Sequence, residues 1–188
     1  MATAPANDRR YAPAYREEIS LADGTRVSIR ALGPGDEALL QRHFDRLSPR
    51  SRYQRFLGGK SGLTARELDF LVHPDWATHV ALVAVLADRP DEPLGIARFV
   101  RVPEDPAVAE PALAVVDSMQ SHGLGRQLIA RLVEAARERG IERLRWVMLQ
   151  ENGPIRHLVG ALGPPLRVIP REATLTMETA TGNCRRLA

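Results

Sequence analysis

The chain has 188 residues, enough for one domain with a substantial core. Its 44% hydrophobic content is ordinary for a globular protein. Its 26 basic and 23 acidic residues leave a net charge of +3, too balanced to demand a nucleic-acid partner. No apolar run approaches the roughly 20 residues of a membrane-spanning helix, and no signal-like apolar segment opens the chain. The single cysteine, Cys184, excludes a disulfide framework within the chain and fits a cytoplasmic location; so near the C-terminus it is also a poor candidate nucleophile. Five histidines without a close pair, HExxH or CxxC predict no metal site.

Residues 1–16, rich in Ala, Pro and charge, read as a flexible N-terminal tail, residues 17–180 as one domain, and residues 181–188 as a C-terminal tail. Glu18–Leu21 and Thr25–Ala31 read as strands around an Asp23-Gly24 turn. Asp36 stands where it can cap a helix over Glu37–Leu47, and Ser48-Pro49 restarts the chain as a short helix, Arg50–Leu57. Thr64-x-x-Glu67 is a capping box for a third helix that ends before Pro74. His79–Ala87, Leu94–Val102 and Val108–Val116 are rich in Val, Leu and Ile and read as strands. A helix over 123–139 carries one apolar stripe through Leu124, Leu128, Leu132 and Ala136, with its charged residues on a solvated face and Gly140 as its stop. Arg143–Leu149 reads as a strand, Glu151–Pro154 as a turn into a short helix ending near Leu162, and Leu166–Ile169 and Thr174–Thr179 as closing strands. Strand–helix alternation in the middle and hairpins at the ends give an α/β fold: a mixed sheet with helices on both faces.

The most informative stretch is Gln120-Ser121-His122-Gly123-Leu124-Gly125, between an apolar strand and an amphipathic helix. A Gly-rich turn there leaves the first helical N–H groups unpaired, and the helix dipole adds positive potential, so an anion such as a pyrophosphate is favoured. Glycines at 123 and 125 let the backbone approach it. No Gly-Lys-Ser/Thr follows, which excludes a P-loop, and the third glycine of the dinucleotide fingerprint is missing.

What remains, Q-x-x-G-x-G after a strand and at a helix start, resembles motif A of the GCN5-related N-acetyltransferases (GNAT). The resemblance spans roughly residues 24–163. Asp23-Gly24-Thr25, Ile29-Arg30, Asp36 and Leu47–Phe56 are similar to the opening of the acetyltransferase domains of bacterial Pat-like protein lysine acetyltransferases, which modify acyl-CoA synthetases. It implies a central, mostly antiparallel sheet splayed between the family's fourth and fifth strands, here Val108–Val116 and Arg143–Leu149. It implies that acetyl-CoA is the donor substrate, with its pyrophosphate on Gln120, Ser121, His122, Gly123, Leu124, Gly125 and Arg126, its pantetheine arm along Ala114, Val115 and Val116, and Asn152 beside the arm. The acceptor it implies is a primary amine such as a protein lysine; a homodimer remains open, and no membrane is involved.

Acetyl transfer needs a base for the amine, a polarised thioester carbonyl and a stabilised leaving thiolate. The resemblance assigns the general base to Glu110, although Pro111 after it marks a bulge or an edge. A backbone N–H near Leu113–Val115 would polarise the carbonyl. The family's tyrosine general acid is Val159 here, and helical spacing keeps His157 off that face. Met119, His122 and Gly163-Pro164 also depart from the family pattern. The alternative is a GNAT-like module that binds acyl-CoA or a partner without catalysis. A further reading, nucleic-acid binding through Arg50, Arg52 and Arg55, is disfavoured because Tyr53 and Phe56 between them read as core residues.

Overall fold

The computed structural model describes residues 9–182. Eight strands, β1 (Arg16–Ser20), β2 (Arg26–Ala31), β3 (His79–Leu86), β4 (Pro93–Val102), β5 (Asp105–Val115), β6 (Arg143–Leu149), β7 (Arg167–Pro170) and β8 (Thr174–Ala180), form one sheet in the order β1-β2-β3-β4-β5-β6-β8-β7. All neighbours are antiparallel except β5 and β6. That parallel pair is in register only at Val108 with Arg143 and Ala109 with Leu144, and beyond it the strands diverge. The expected splay is therefore present, within a mixed sheet with helices on both faces.

Strand β3 explains the layering. Its residues are buried on both sides of the sheet, so it reads as an unbroken apolar run. Val80, Leu82 and Ala84 join one core, while Ala81, Val83 and Val85 join the other, as the two-residue period of a strand requires. The first core is closed by α4 (Leu124–Glu138), whose Leu124, Leu128, Ile129, Leu132 and Ala136 are buried. Fully burying such a side chain contributes about 1.5–3 kcal/mol. The second core is closed by α1 (Glu37–Arg46) and α3 (Ala65–Val72), through Leu39, Leu40 and Val72. Helix α2 (Pro49–Phe56) follows α1, and α5 (Gly153–Gly160) follows β6.

Local signals held where the interaction was local. Thr64 and Glu67 form the reciprocal capping box, Ser48 Oγ accepts from Ser51 N–H at the start of α2, and Gly140 takes positive φ just past α4. Asp36 does not cap α1. Its carboxylate takes a bidentate pair from Arg30 at 2.7 and 2.8 Å and a bond from Gly33 N–H, and two charge-assisted bonds outcompete a cap.

The N-terminal segment also differs from the expected tail. Tyr11 is 1% exposed and Tyr15 is buried beside it, with ring centroids 4.7 Å apart. The helix face expected to be solvated holds them. Arg131 is buried and donates to Tyr15 Oη at 2.9 Å, Glu134 accepts from Tyr11 Oη, and Glu138 accepts from the Arg10 and Tyr11 amides. Thr181, assigned to the C-terminal tail, is likewise buried and bonded to Ile141 O. Cys184 lies outside the described residues.

His43 on α1 and His79 on β3 are buried, and neither Nε2 has a hydrogen-bond partner. Burial pushes both down to about 4, with the Arg98 charge adding to the effect at His79. The unfolded chain binds protons at these sites below about 6.5, the native state only below about 4, so stability falls as pH falls through that window and levels off beneath it. The expected loss is at most roughly 3 kcal/mol per histidine. Urea midpoints measured from pH 7 to 4 should fall more shallowly for His79→Gln than for the wild type; parallel slopes would remove His79 from the effect.

Candidate active site

A cleft of about 1230 Å³ runs along the splayed half of β5. The geometry of that strand decides what faces it. Glu142 N–H donates to Ala107 O on the β6 side, and Val116 N–H donates to Leu94 O on the β4 side. Backbone groups alternate along a strand, so Ala109, Pro111, Leu113 and Val115 turn their polar groups toward β6. Past Ala109 that neighbour has diverged. Pro111, the first of these positions beyond the last paired residue, has no N–H to leave unpaired, which is why a proline is tolerated there. It marks an open edge, with no register shift beside it.

The side chains alternate too. Leu113 and Val115 lie on the α4 side, within packing reach of Gly125. Glu110, Ala112 and Ala114 lie on the opposite face, level with Val100, Arg98 and Ile96 of β4. Ala114 and Val115 line the cleft as expected, whereas Val116 is buried beneath it.

After β5 a short 3-10 turn, Asp117–Met119, leads into the Gly-rich loop. Ser121 has φ 65° and Gly123 φ 87°, and alternating conformations of this kind turn successive amides into a concave anion nest. Where a side chain on Gly123 would project there is open space. The first bond of α4 runs from Gln127 N–H to Gly123 O, so the Leu124 and Gly125 amides take no intrahelical bond at the positive end of the helix dipole. Gly125 has a different role from the one expected. A Cβ there would meet Leu158 at 3.3 Å and Leu113 at 3.4 Å, so this glycine lets α4 close onto β5 and α5 rather than admitting an anion. Leu124, expected at the pyrophosphate, is buried in the core and does not line the cleft.

The loop is tied down from two sides. Gln120 Nε2 donates to Val115 O and to Ser51 Oγ, each at 3.2 Å. Asp117 accepts from Ser48 N–H, Ser48 Oγ and Ser51 Oγ at 2.7–2.9 Å, which locks the start of α2 against the loop. The His122 ring sits with Nδ1 2.7 Å from Gln120 O and Nε2 3.6 Å from Asp23 Oδ2, so the β1–β2 turn shares this end of the cleft. Ser121, His122 and Arg126 all line it. Asn152 lines it as well, and its side chain caps α5 by accepting from Ile155 N–H.

Glu110 lies on the cleft, immediately past the last paired residues of β5 and β6. Its side chain is 52% exposed, more open than a partly buried base, and is 3.7 Å from Arg145, which Glu178 holds at 2.9 Å. Val159 is 0% exposed and packs into the core, so its position cannot present a group to the cleft. His157 stands on a different face of α5 from Val159, as the helical spacing requires, and it is this exposed face that reaches the cleft.

The basic and aromatic run on α2 does not form a single face. Arg52 is spent on the carbonyls of Phe44, Asp45 and Leu47 at the end of α1, while Arg55 turns into the cleft. Phe56 packs on Phe44, but Tyr53, expected in the core, is 47% exposed. Arg98, which also lines the cleft, escaped the sequence reading because nothing in a strand's alternation marks one inward arginine as different from a solvated one.

Residues 50–163 match the acetyltransferase (GNAT) family model. An acetyltransferase of Pseudomonas aeruginosa is 32% identical over 145 residues, covering 77% of each chain. The acetyltransferase Pat of Mycolicibacterium smegmatis is 28% identical over 152 residues, 77% of this chain but 43% of Pat. The solved GNAT domain of S. lividans PAT has a TM-score of 0.79 at 24% identity, covering 88% of this chain and 96% of that one. An acetyltransferase structure from Salmonella typhimurium with its cofactor acetyl-CoA has a TM-score of 0.67 at 20% identity, covering 82% and 94%. At these identities the structural likeness is one of fold.

Gly123 is needed for its positive φ and not for space. Gly123→Ala should therefore lower stability by about 1 kcal/mol, the cost of a left-handed non-glycine residue, while leaving the fold intact. Urea titration with circular dichroism measures it, and an unchanged midpoint would show that the loop relaxes without strain.

Proposed function

This chain belongs to the acetyltransferase (GNAT) family, and we propose that it moves the acetyl group of acetyl-CoA to a primary amine, with Glu110 as general base. The observation that carries this reading is one cleft joining three parts: the open edge of β5, the positive end of α4 and a carboxylate. The edge offers backbone hydrogen bonds to an extended arm, the helix end offers amides to a pyrophosphate, and the carboxylate stands where the edge begins.

Bound there, acetyl-CoA would supply a thioester as acyl donor. The Gln120–Gly125 loop and Arg126 would hold its phosphates, and Asn152, Leu113 and Val115 would flank its arm. The fit rests on the space above Gly123 and on the N-terminal amides of α4, which take no intrahelical bond. Leu113 and Val115 direct N–H groups into the gap, and one of them polarises the thioester carbonyl, since a fixed donor at developing negative charge acts without reorganisation. Glu110 accepts the proton of the amine as nitrogen bonds to the acyl carbon and the carbon–sulfur bond breaks. Exposure of Glu110 suits a base that works directly or through one water. A lysine side chain of a protein would present the same amine; the class of acceptor turns on the charges at that end of the cleft. A cytoplasmic site of action goes with this reading.

Glu110→Gln should lower kcat by about 10²–10⁴-fold at neutral pH and leave the acetyl-CoA Kd unchanged. Thiol release against a panel of amines, with calorimetry for binding, reads both quantities. Wild-type rates in the variant would remove Glu110 as base, and no release from any amine with acetyl-CoA still bound would favour the non-catalytic module. Replacing the shared imidazole by a permanent cation in His122→Arg should tighten acetyl-CoA binding several-fold; an unchanged Kd would show that position 122 does not meet the phosphates.

A further inference from the structure

Two arginines at the acceptor end of the cleft have no part in the chemistry above. Arg98 stands on β4 opposite Ala112, and Val100 stands opposite Glu110, so Arg98 and Glu110 are diagonal neighbours on one face of the sheet. Arg55 comes onto the same cleft from α2. Neither forms an ion pair with a carboxylate among the described residues. The two carboxylates that line the cleft are turned elsewhere, Asp23 toward His122 and Glu110 toward Arg145.

Aromatic rings take part of each guanidinium and leave the rest open. Arg98 lies 5.7 Å from the Phe70 ring centroid and Arg55 4.9 Å from that of Phe56. Arg98 Nε is buried with no hydrogen-bond partner. Burial, then the charge of Arg98, pushes Arg55 down to about 9, and burial lowers Arg98 too. Both still carry charge at neutral pH. Two like charges brought together in a part-buried place, without a counterion, are a standing cost to the fold that a bound anion removes.

The position argues against the donor's phosphates as that anion. Arg98 is level with Ala112, four residues before Val116, where the strand gives way to the Gly-rich loop; on an extended strand that is roughly 13 Å. Arg98 also shares its face of the sheet with Ile96 and the α1–α3 core, whereas the loop feeds α4 on the other.

We propose that Arg55 and Arg98 form an anion subsite for the acceptor, and that the acceptor is a small amine carrying a carboxylate. The inference rests on the acetyltransferase reading. Diagonal cross-strand neighbours have Cβ atoms about 7 Å apart, so one small molecule can set its carboxylate on the guanidiniums and its amine at Glu110. Planar guanidiniums suit a carboxylate because they can donate two parallel bonds to it.

The test compares amino acids with their own carboxamides as acceptors, by thiol release, in the wild type and in Arg55→Gln, Arg98→Gln and Arg98→Lys, with acetyl-CoA Kd measured for each. The wild type should prefer at least one acid over its amide by tenfold or more in kcat/KM. Either Gln variant should collapse that ratio through KM, and Arg98→Lys should restore part of it. Thermal unfolding gives a second readout. Arg98→Gln should unfold no lower than the wild type, because it removes an uncompensated charge, and the preferred acid should raise Tm in the wild type but not in the variant. Equal rates on acids and amides, or a lysine peptide preferred over every small acid, would overturn the anion subsite and leave the acetyltransferase reading standing. Failure to bind acetyl-CoA at all would overturn both.

Discussion

The structure turns on a parallel pairing that stops after two residues. β5 is paired with β4 from Ala109 to Val115, but with β6 only at Val108 and Ala109. An open strand edge inside a protein is ordinarily a liability, since each unpaired N–H and C=O costs free energy unless something meets it. Here the edge is managed group by group. Pro111 removes one donor outright. Gln120 reaches back to occupy the Val115 carbonyl. What stays open are the amides of Leu113 and Val115 and the carbonyls of Pro111 and Leu113, groups that an extended ligand can use. β6 keeps its place by pairing on its far side with β8 over seven residues, so the divergence does not loosen the sheet.

Both halves of the cleft hang on that edge. The loop after β5 delivers the start of α4, and the Asp117 carboxylate in the same loop holds Ser48 and Ser51 at the start of α2. The Gly-rich loop and α2 are thus fixed together by one carboxylate, and Gln120 adds a second link through Ser51. The position of Arg55 on α2 is set by the same network that shapes the Gly-rich loop. Movement of either element would, on the proposed reading, change the distance between donor and acceptor, to which acyl transfer is sensitive.

Whatever depended on neighbours in sequence could be read from it. The capping box at Thr64, the restart of the chain as α2 at Ser48-Pro49, the helical stripe from Leu124 to Ala136 and the turn glycine at 123 follow from caps, period and backbone freedom within a few residues. The Q-x-x-G-x-G loop was legible for the same reason. The Asp36 carboxylate leaves the cap because Arg30, six residues away on β2, offers a stronger partner than the helix amides. The anchoring of residues 10–15 is invisible in local sequence because their partners on α4 are more than a hundred residues away. Gly125 looked like its neighbour Gly123, and only the packing of Leu113 and Leu158 against it shows that it serves a different purpose.

The sequence by itself determined the family, the order of the elements and the place of the Gly-rich turn before α4, because periodicity, caps and positive-φ glycines are properties of short segments. Tertiary structure alone decided that β5 and β6 separate after Ala109, that Glu110 stands exposed beside Arg145, and that Arg55 and Arg98 share one cleft from positions 43 residues apart. The physical reason is that a side chain's charge can be read from its letter. Whether that charge is paired, solvated or left waiting for a ligand depends on what distant segments bring next to it.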